Sequence, residues 1–159
     1  MPESIYIETT IPSLYVARPS GQLIEAARQQ LTRIWWDEHR RDYKLVCSQT
    51  VLDECARGEV DMASMRLELL SDIPLLDLSP DVLKISQDLL NREIIPAKAA
   101  DDAIHIAVAS VHEIDYLLTW NCKHIANPHL RRRISDCLSA HGLRATIICT
   151  PEDLIGDEN

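Results

Sequence analysis

The chain has 159 residues, 46% hydrophobic and 26% charged, the balance of a globular protein long enough to bury a core. Its 16 basic and 25 acidic side chains leave a net charge of −9, which argues against strong non-specific binding to long nucleic acid and suits either a solvated acidic surface, the commoner case, or a protein that gathers carboxylates around a cation. No apolar run reaches the roughly 18 residues of a membrane span, and the start Met-Pro-Glu-Ser-Ile-Tyr lacks a basic, apolar signal segment, so a cytoplasmic protein with no membrane partner is expected.

The chain opens on a strand, Ile5-Tyr6-Ile7, with Glu8 at its carboxyl end. Thr9, Thr10 and Pro12 read as a turn into a helix, because proline suits the first helical turn. Pro19, Ser20 and Gly21 then break the chain. Leu23, Ala27, Leu31, Ile34 and Trp35 recur at helical spacing and predict one long amphipathic helix from Leu23 to Arg41. Lys44 to Cys47 is a second strand. Ser48 is placed to cap the helix after it and Gly58 to end that helix. Glu54 lies about two turns in, on one side with Thr50 and Val51.

Met62 to Leu70 is a further helical stretch, and Leu75 to Leu78 a third strand limited by Pro74. Ser79-Pro80 is a cap followed by a first-turn proline, opening a helix with Val82, Leu83, Ile85, Leu89 and Leu90. After Pro96 comes the central helix, from about Ala99 to His112, with Asp101 and Asp102 in its first turn. A fourth strand, Tyr116 to Thr119, runs into Trp120 and Asn121. A polar loop follows through Pro128, then a helix with Leu130, Ile134, Cys137 and Leu138 on one side and Arg131, Arg132 and Arg133 around the rest, ended by Gly142. Thr146 to Cys149 is a last strand, and Thr150-Pro151-Glu152-Asp153 starts a short terminal helix. Strands alternating with helices argue for a parallel sheet covered on both faces. Five cysteines, none in a Cys-x-x-Cys pair, are not a disulfide framework; Cys47 and Cys149, inside apolar strands, are expected as buried thiols.

Four glycines leave no phosphate-cradling loop or dinucleotide fingerprint, and no Gly-x-Ser-x-Gly elbow is present. What remains are carboxylates at strand ends and helix starts. Glu8 ends the first strand, Asp101 and Asp102 open the central helix, and Asn121 ends the strand after it. Such positions face the crevice of an open α/β sheet. Together with Glu54 they offer oxygen ligands, which suit Mg2+ or Mn2+ rather than zinc. Ions of this kind activate water and stabilise a phosphodiester transition state. At about 100° per residue, Asp101 falls with His105 and His112 on the polar face, and Asp102 at the border of the apolar arc. Asp102 is therefore the expected ligand, Asp101 a cap or supporting group, and His105 a hydrogen-bonded surface or supporting residue rather than a general base.

Each residue also has an ordinary reading. Glu54 alone is a common helix glutamate, the two aspartates are acids that favour a helix dipole, and Asn121 is a turn residue. Only their meeting in space would make a site. Cys122, His124 and His129 match no regular zinc spacing. Lys123, His124 and Arg131 to Arg133 form the one concentrated basic patch, either a guide for a phosphate backbone or a solvated helix face. Trp120 either stacks on an unpaired base or packs at the sheet edge.

The pattern Tyr6-Ile7-Glu8-Thr9-Thr10, Ser48 to Glu54, Asp102-Ala103-Ile104-His105-Ile106-Ala107, Leu117-Leu118-Thr119-Trp120-Asn121 and Ile148-Cys149-Thr150-Pro151-Glu152 resembles a PIN domain. It is most similar to VapC-like toxin nucleases of type II toxin–antitoxin systems, over nearly the whole chain. The resemblance implies one PIN-like domain over residues 1–159, an α/β/α sandwich around a parallel sheet of four or five strands. It implies a metal-dependent endoribonuclease with Mg2+ or Mn2+ as cofactor, RNA as substrate, an antitoxin partner and a homodimer. Glu8, Glu54 and Asp102 stand at the family's metal-binding acids, and Asn121 at its further polar position. The family usually has Asp where Glu8 and Asn121 stand, so one formal charge is missing here. That departure supports an alternative, a PIN-fold scaffold that binds RNA or protein without cutting. A phosphatase of another α/β fold lacks its strand-end aspartate nucleophile, since Glu8-Thr9-Thr10 stands there.

Overall fold

The computed structural model describes residues 2–156. Five strands, β1 (Ser4–Ile7), β2 (Lys44–Ser48), β3 (Leu75–Leu76), β4 (Tyr116–Leu118) and β5 (Ile147–Cys149), run parallel in the order β3-β2-β1-β4-β5. The inner strands are continuous apolar runs because helices cover both of their faces; Ile5, Tyr6, Ile7, Leu117 and Leu118 expose no surface. Leu75 and Ile147 lie exposed on short edge strands, and a short edge gives another chain little to pair with.

Eight α-helices flank the sheet among the described residues: α1 (Thr10–Val16), α2 (Leu23–Ile34), α3 (Gln49–Cys55), α4 (Val60–Leu69), α5 (Pro80–Asn91), α6 (Ala100–Val111), α7 (Pro128–Ala140) and α8 (Pro151–Ile155). In one group α1 and α8 pack on α2; in the other α6 packs on α3 and α5, and α7 on α5. The architecture is a three-layer α/β/α sandwich. Its core joins the strands to Ile106, Ala107 and Val108 of α6, Leu89 of α5 and Trp35 after α2. Cys47 and Cys149 are buried thiols within it.

Two local expectations are corrected. The helix expected from Leu23 to Arg41 is α-helical only to Ile34, then widens into a π turn over Trp35–His39 and tightens into a 3-10 turn over Arg40–Asp42. Two adjacent indoles, Trp35 and Trp36, are both buried there, with the Arg40 guanidinium 4.4 Å from the Trp36 ring centre. Both residues start the π turn and pack into the core. Ser48 stands at the N-cap of α3 but makes no capping bond; its buried hydroxyl pairs instead with the Tyr6 phenol at 2.7 Å.

The topology decides where a site can form. Strand β1 is central, with β2 on one side and β4 on the other, so the winding reverses at β1. A crevice opens at such a reversal, beyond the carboxyl ends of the strands. Ile7 pairs in register with Leu118, which brings Glu8 level with Thr119.

Candidate metal centre at the carboxyl end of the sheet

Glu8 is the first residue past β1 and is only 2% exposed. A buried carboxylate needs donors, and the strand ends supply them. Its Oε1 accepts from Thr119 Oγ1 at 2.7 Å, Thr10 Oγ1 at 2.5 Å and Thr10 N at 3.1 Å. Burial pushes its pKa above the ordinary carboxylate value, against the opposing pull of His105 and the threonine hydrogen bonds.

Glu54 reaches the same place from α3. Its Oε1 accepts from Thr9 Oγ1 at 2.8 Å and meets His105 Nε2 at 2.5 Å. Burial acts to raise its pKa, but the His105 hydrogen bond and charge, with Thr9 and Arg57, outweigh this and hold it below the usual range. For His105, burial acts to lower the pKa, yet Glu54, Glu8 and Asp102 together raise it. The two shifts, Glu54 down and His105 up, both favour the charged forms and describe an ion pair, with the imidazole Nδ1 bonded to Tyr6 Oη at 2.7 Å. Ser48, Tyr6, His105, Glu54 and Thr9 thus form one hydrogen-bonded chain under the crevice.

Of the two readings of His105 from sequence, the surface one is corrected and the supporting one fits its bond to Glu54. The helical wheel put it on the polar face, but it has no exposed surface. Glu54 of α3 and Tyr6 of β1 cover that side of α6, and a wheel drawn for one helix cannot show a neighbour. The ligand-type atoms of Glu8, Glu54 and His105 lie within 4.8 Å of one another.

Asp102 stands outside this tight set but lines the same pocket as Glu54, with Arg57, Lys98, Asp101 and His124. Its Oδ2 is 3.0 Å from His124 Nδ1. Asn121 acts on this contact through the backbone: its Oδ1 accepts from His124 N at 3.0 Å and so holds the turn that carries the imidazole. Asp101 pairs with Arg57 at 3.5 Å across the pocket mouth.

The three acids share a pattern. Each has one oxygen anchored by protein donors: Glu8 Oε1, Glu54 Oε1 and Asp102 Oδ2. Among the described residues, no protein hydrogen bond falls on Glu8 Oε2, Glu54 Oε2 or Asp102 Oδ1. Carboxylates oriented through one oxygen, with the other left over, suit a hard cation. Both nitrogens of His105 are already engaged, which fits it for orienting Glu54 rather than ligating.

Neither a protein-family model nor a curated protein matches the chain. A solved structure does. A chain in the crystal structure of VapBC2 from Rickettsia felis, bound to a DNA fragment from their promoter, is similar with a TM-score of 0.55 and 14% identity, over 92% of this chain and 98% of that chain. The likeness is one of fold.

The remaining sequence candidates fall as follows. Trp120 is packed, 8% exposed, with its Nε1 donating to Thr32 Oγ1 at 2.7 Å. Arg131, Arg132 and Arg133 are exposed on α7, and the cations that line the pocket are Arg57 and Lys98. Helix spacing does not reach either one: Arg57 lies two residues past the end of α3, and Lys98 in the 3-10 turn Ala97–Ala99 just before α6. Cys122 is exposed, and His124 turns to Asp102 rather than toward Cys122 and His129.

Proposed function

We propose that this chain is a single PIN-like domain acting as a metal-dependent endoribonuclease of the VapC type, using Mg2+ or Mn2+ held by Glu8, Glu54 and Asp102. The observation that carries the reading is the paired use of the three carboxylates. One oxygen of each is fixed by Thr119 and Thr10, by Thr9 and His105, or by His124, and the other has no protein donor among the described residues. An oxygen-only donor set at a sheet crevice fits a hard divalent ion. When bound, such an ion supplies a Lewis acid that favours attack of water on phosphorus and offsets the charge that develops there.

The chain's own residues do the rest. His105 holds the Glu54 carboxylate in place, and the threonines hold Glu8. Arg57 and Lys98 at the pocket mouth attract the phosphate backbone into a protein whose net charge of −9 would otherwise repel it. Asn121 orients His124 and, through it, Asp102. The VapBC2 neighbour supports a toxin–antitoxin setting with an antitoxin protein as partner; a cytoplasmic location and a homodimer as the working unit belong to the same proposal.

A second reading, a PIN-fold scaffold that binds RNA or protein without cutting, is favoured by one observation: Asn121 supplies no charge and has its Oδ1 engaged by the loop. One assay separates the two. Structured RNAs are incubated with the protein and manganese, beside a chelator control and Asp102→Asn. Cleavage lost in both controls is the expected result. Cleavage that persists equally in all three, or binding without cleavage by the wild type, would overturn the nuclease reading.

A further inference from the structure

A second ligand cluster lies away from the crevice, where α5 meets α7. Cys137 and His141 are four residues apart at the end of α7, so both project toward the same neighbour. That neighbour is Asp88 of α5. Its Oδ2 lies 3.5 Å from Cys137 Sγ and 2.8 Å from His141 Nε2, and the three ligand-type atoms fall within 4.8 Å of one another. We propose that Asp88, Cys137 and His141 form a site for a borderline-soft divalent cation, Zn2+ by donor type, distinct from the oxygen site at the sheet.

The donor set is the first argument. One thiol, one imidazole and one carboxylate match zinc rather than magnesium or manganese. Distance is the second. Tetrahedral zinc with ordinary bond lengths sets its sulfur and carboxylate ligands about 3.6 Å apart, and the observed separation is 3.5 Å. The imidazole has to open from 2.8 Å to about 3.4 Å of the carboxylate, a movement within reach of a residue just past the last turn of a helix. Access is the third. Cys137 is buried, whereas the Asp88 and His141 side chains are 26% and 21% exposed, so the fourth position opens to water.

The surroundings are consistent with a bound ion. Arg92 Nε lies 3.2 Å from Asp88 Oδ1 and 3.1 Å from Oδ2 and can stay on Oδ1 while Oδ2 turns to the metal. Coordination replaces the Cys137 Sγ–H bond with a metal–sulfur bond and releases that proton to solvent, while His141 loses the Nε2 proton it gives to Asp88 and, as the neutral tautomer, carries its proton on Nδ1. The charges of the thiolate and the Asp88 carboxylate then cancel that of the cation. The ion would clamp α5 to α7, joining two elements about 50 residues apart in sequence.

Cobalt(II) is the probe, because a thiolate ligand gives it a charge-transfer band that an oxygen site cannot produce. The purified full chain is titrated with cobalt, then with zinc. The expected result is a band saturating at one cobalt per chain, bleached by zinc, lost in Cys137→Ser, weakened at least tenfold in affinity in His141→Gln, and kept in Cys122→Ser and Asp102→Asn. No band in the folded wild type overturns the proposal. So does a band that survives Cys137→Ser or vanishes with Cys122→Ser, which would place the metal on the exposed cysteine. Should Cys137→Ser fail to fold, the His141→Gln and Cys122→Ser titrations still decide between the two cysteines.

Discussion

At the scale of residues, the site is held by small hydroxyls. Thr119 Oγ1 donates to Glu8 Oε1 at 2.7 Å and accepts from Asn121 N at 2.9 Å, so one side chain fixes an acid and the loop beyond it. Thr119→Val keeps the shape and removes both bonds. It is expected to cost about 1–3 kcal/mol in urea unfolding and to weaken manganese binding by about 10–100-fold in calorimetric titration. Unchanged manganese affinity would mean that Glu8 is not a ligand. His105 makes a different test. Replacing it with Gln removes the cation from a largely buried pair, at a cost of about 2–3 kcal/mol, less than for a fully buried pair because Glu54 keeps 19% exposure. His105 is held above its ordinary 6.5 and Glu54 below its ordinary 4.5. The pair's contribution is therefore complete between pH 4.5 and 6.5. It fades as pH rises through the raised His105 value, and as pH falls through the lowered Glu54 value. Glu8 runs the other way, since a raised carboxyl favours the fold while protonated and that benefit is lost as pH rises through its own value. In metal-free protein, the stability difference between wild type and His105→Gln should peak inside this window; a difference that is flat with pH contradicts the pair. Glu8 was legible in the sequence because a strand-end acid before a turn is a positional signal. The burial of His105 was not, because it depends on α3 and β1 closing over a helix that looks polar there when drawn alone.

Helix starts were the most legible elements, since cap chemistry is local. Ser79-Pro80 and Thr150-Pro151 both open helices, the second through a reciprocal capping box between Thr150 and Asp153. Asn127 opens α7 in the same way: its Oδ1 accepts from His129 N at 2.9 Å while its Nδ2 donates to Lys123 O at 2.9 Å. It thereby ties α7 to the loop that carries His124. Asn127→Ala should lower stability by about 1 kcal/mol in thermal unfolding and speed amide exchange at Lys123 and His124. Exchange there at the wild-type rate would show that the loop does not depend on the cap. The π turn after α2 was not legible, because apolar periodicity carries no mark of it. The third strand, expected from Leu75 to Leu78, ends at Leu76, before Asp77, where ladder pairing with β2 stops. Pattern gives the apolar residues, and the neighbouring strand gives the length.

At the scale of the molecule, alternating strands and helices declared a covered parallel sheet, but not the order of its strands. That β1 lies between β2 and β4 follows from pairings between residues about 40 and 110 positions apart in sequence, where loop closure leaves no local trace. Yet this order is what turns scattered acids into one crevice. On the proposed reading, a cation would further offset the charge of these carboxylates in a protein of net charge −9. Manganese at a hundred times its Kd should accordingly add about 2.7 kcal/mol to the unfolding free energy, and Asp102→Asn should remove most of that gain at the same manganese concentration. The most direct measurement is an anomalous-scattering map from crystals soaked in manganese at a concentration that supports RNA cleavage. The account predicts a peak ligated by Glu8 Oε2, Glu54 Oε2 and Asp102 Oδ1; a crevice without one, or a manganese ion held elsewhere in the molecule alone, would contradict it.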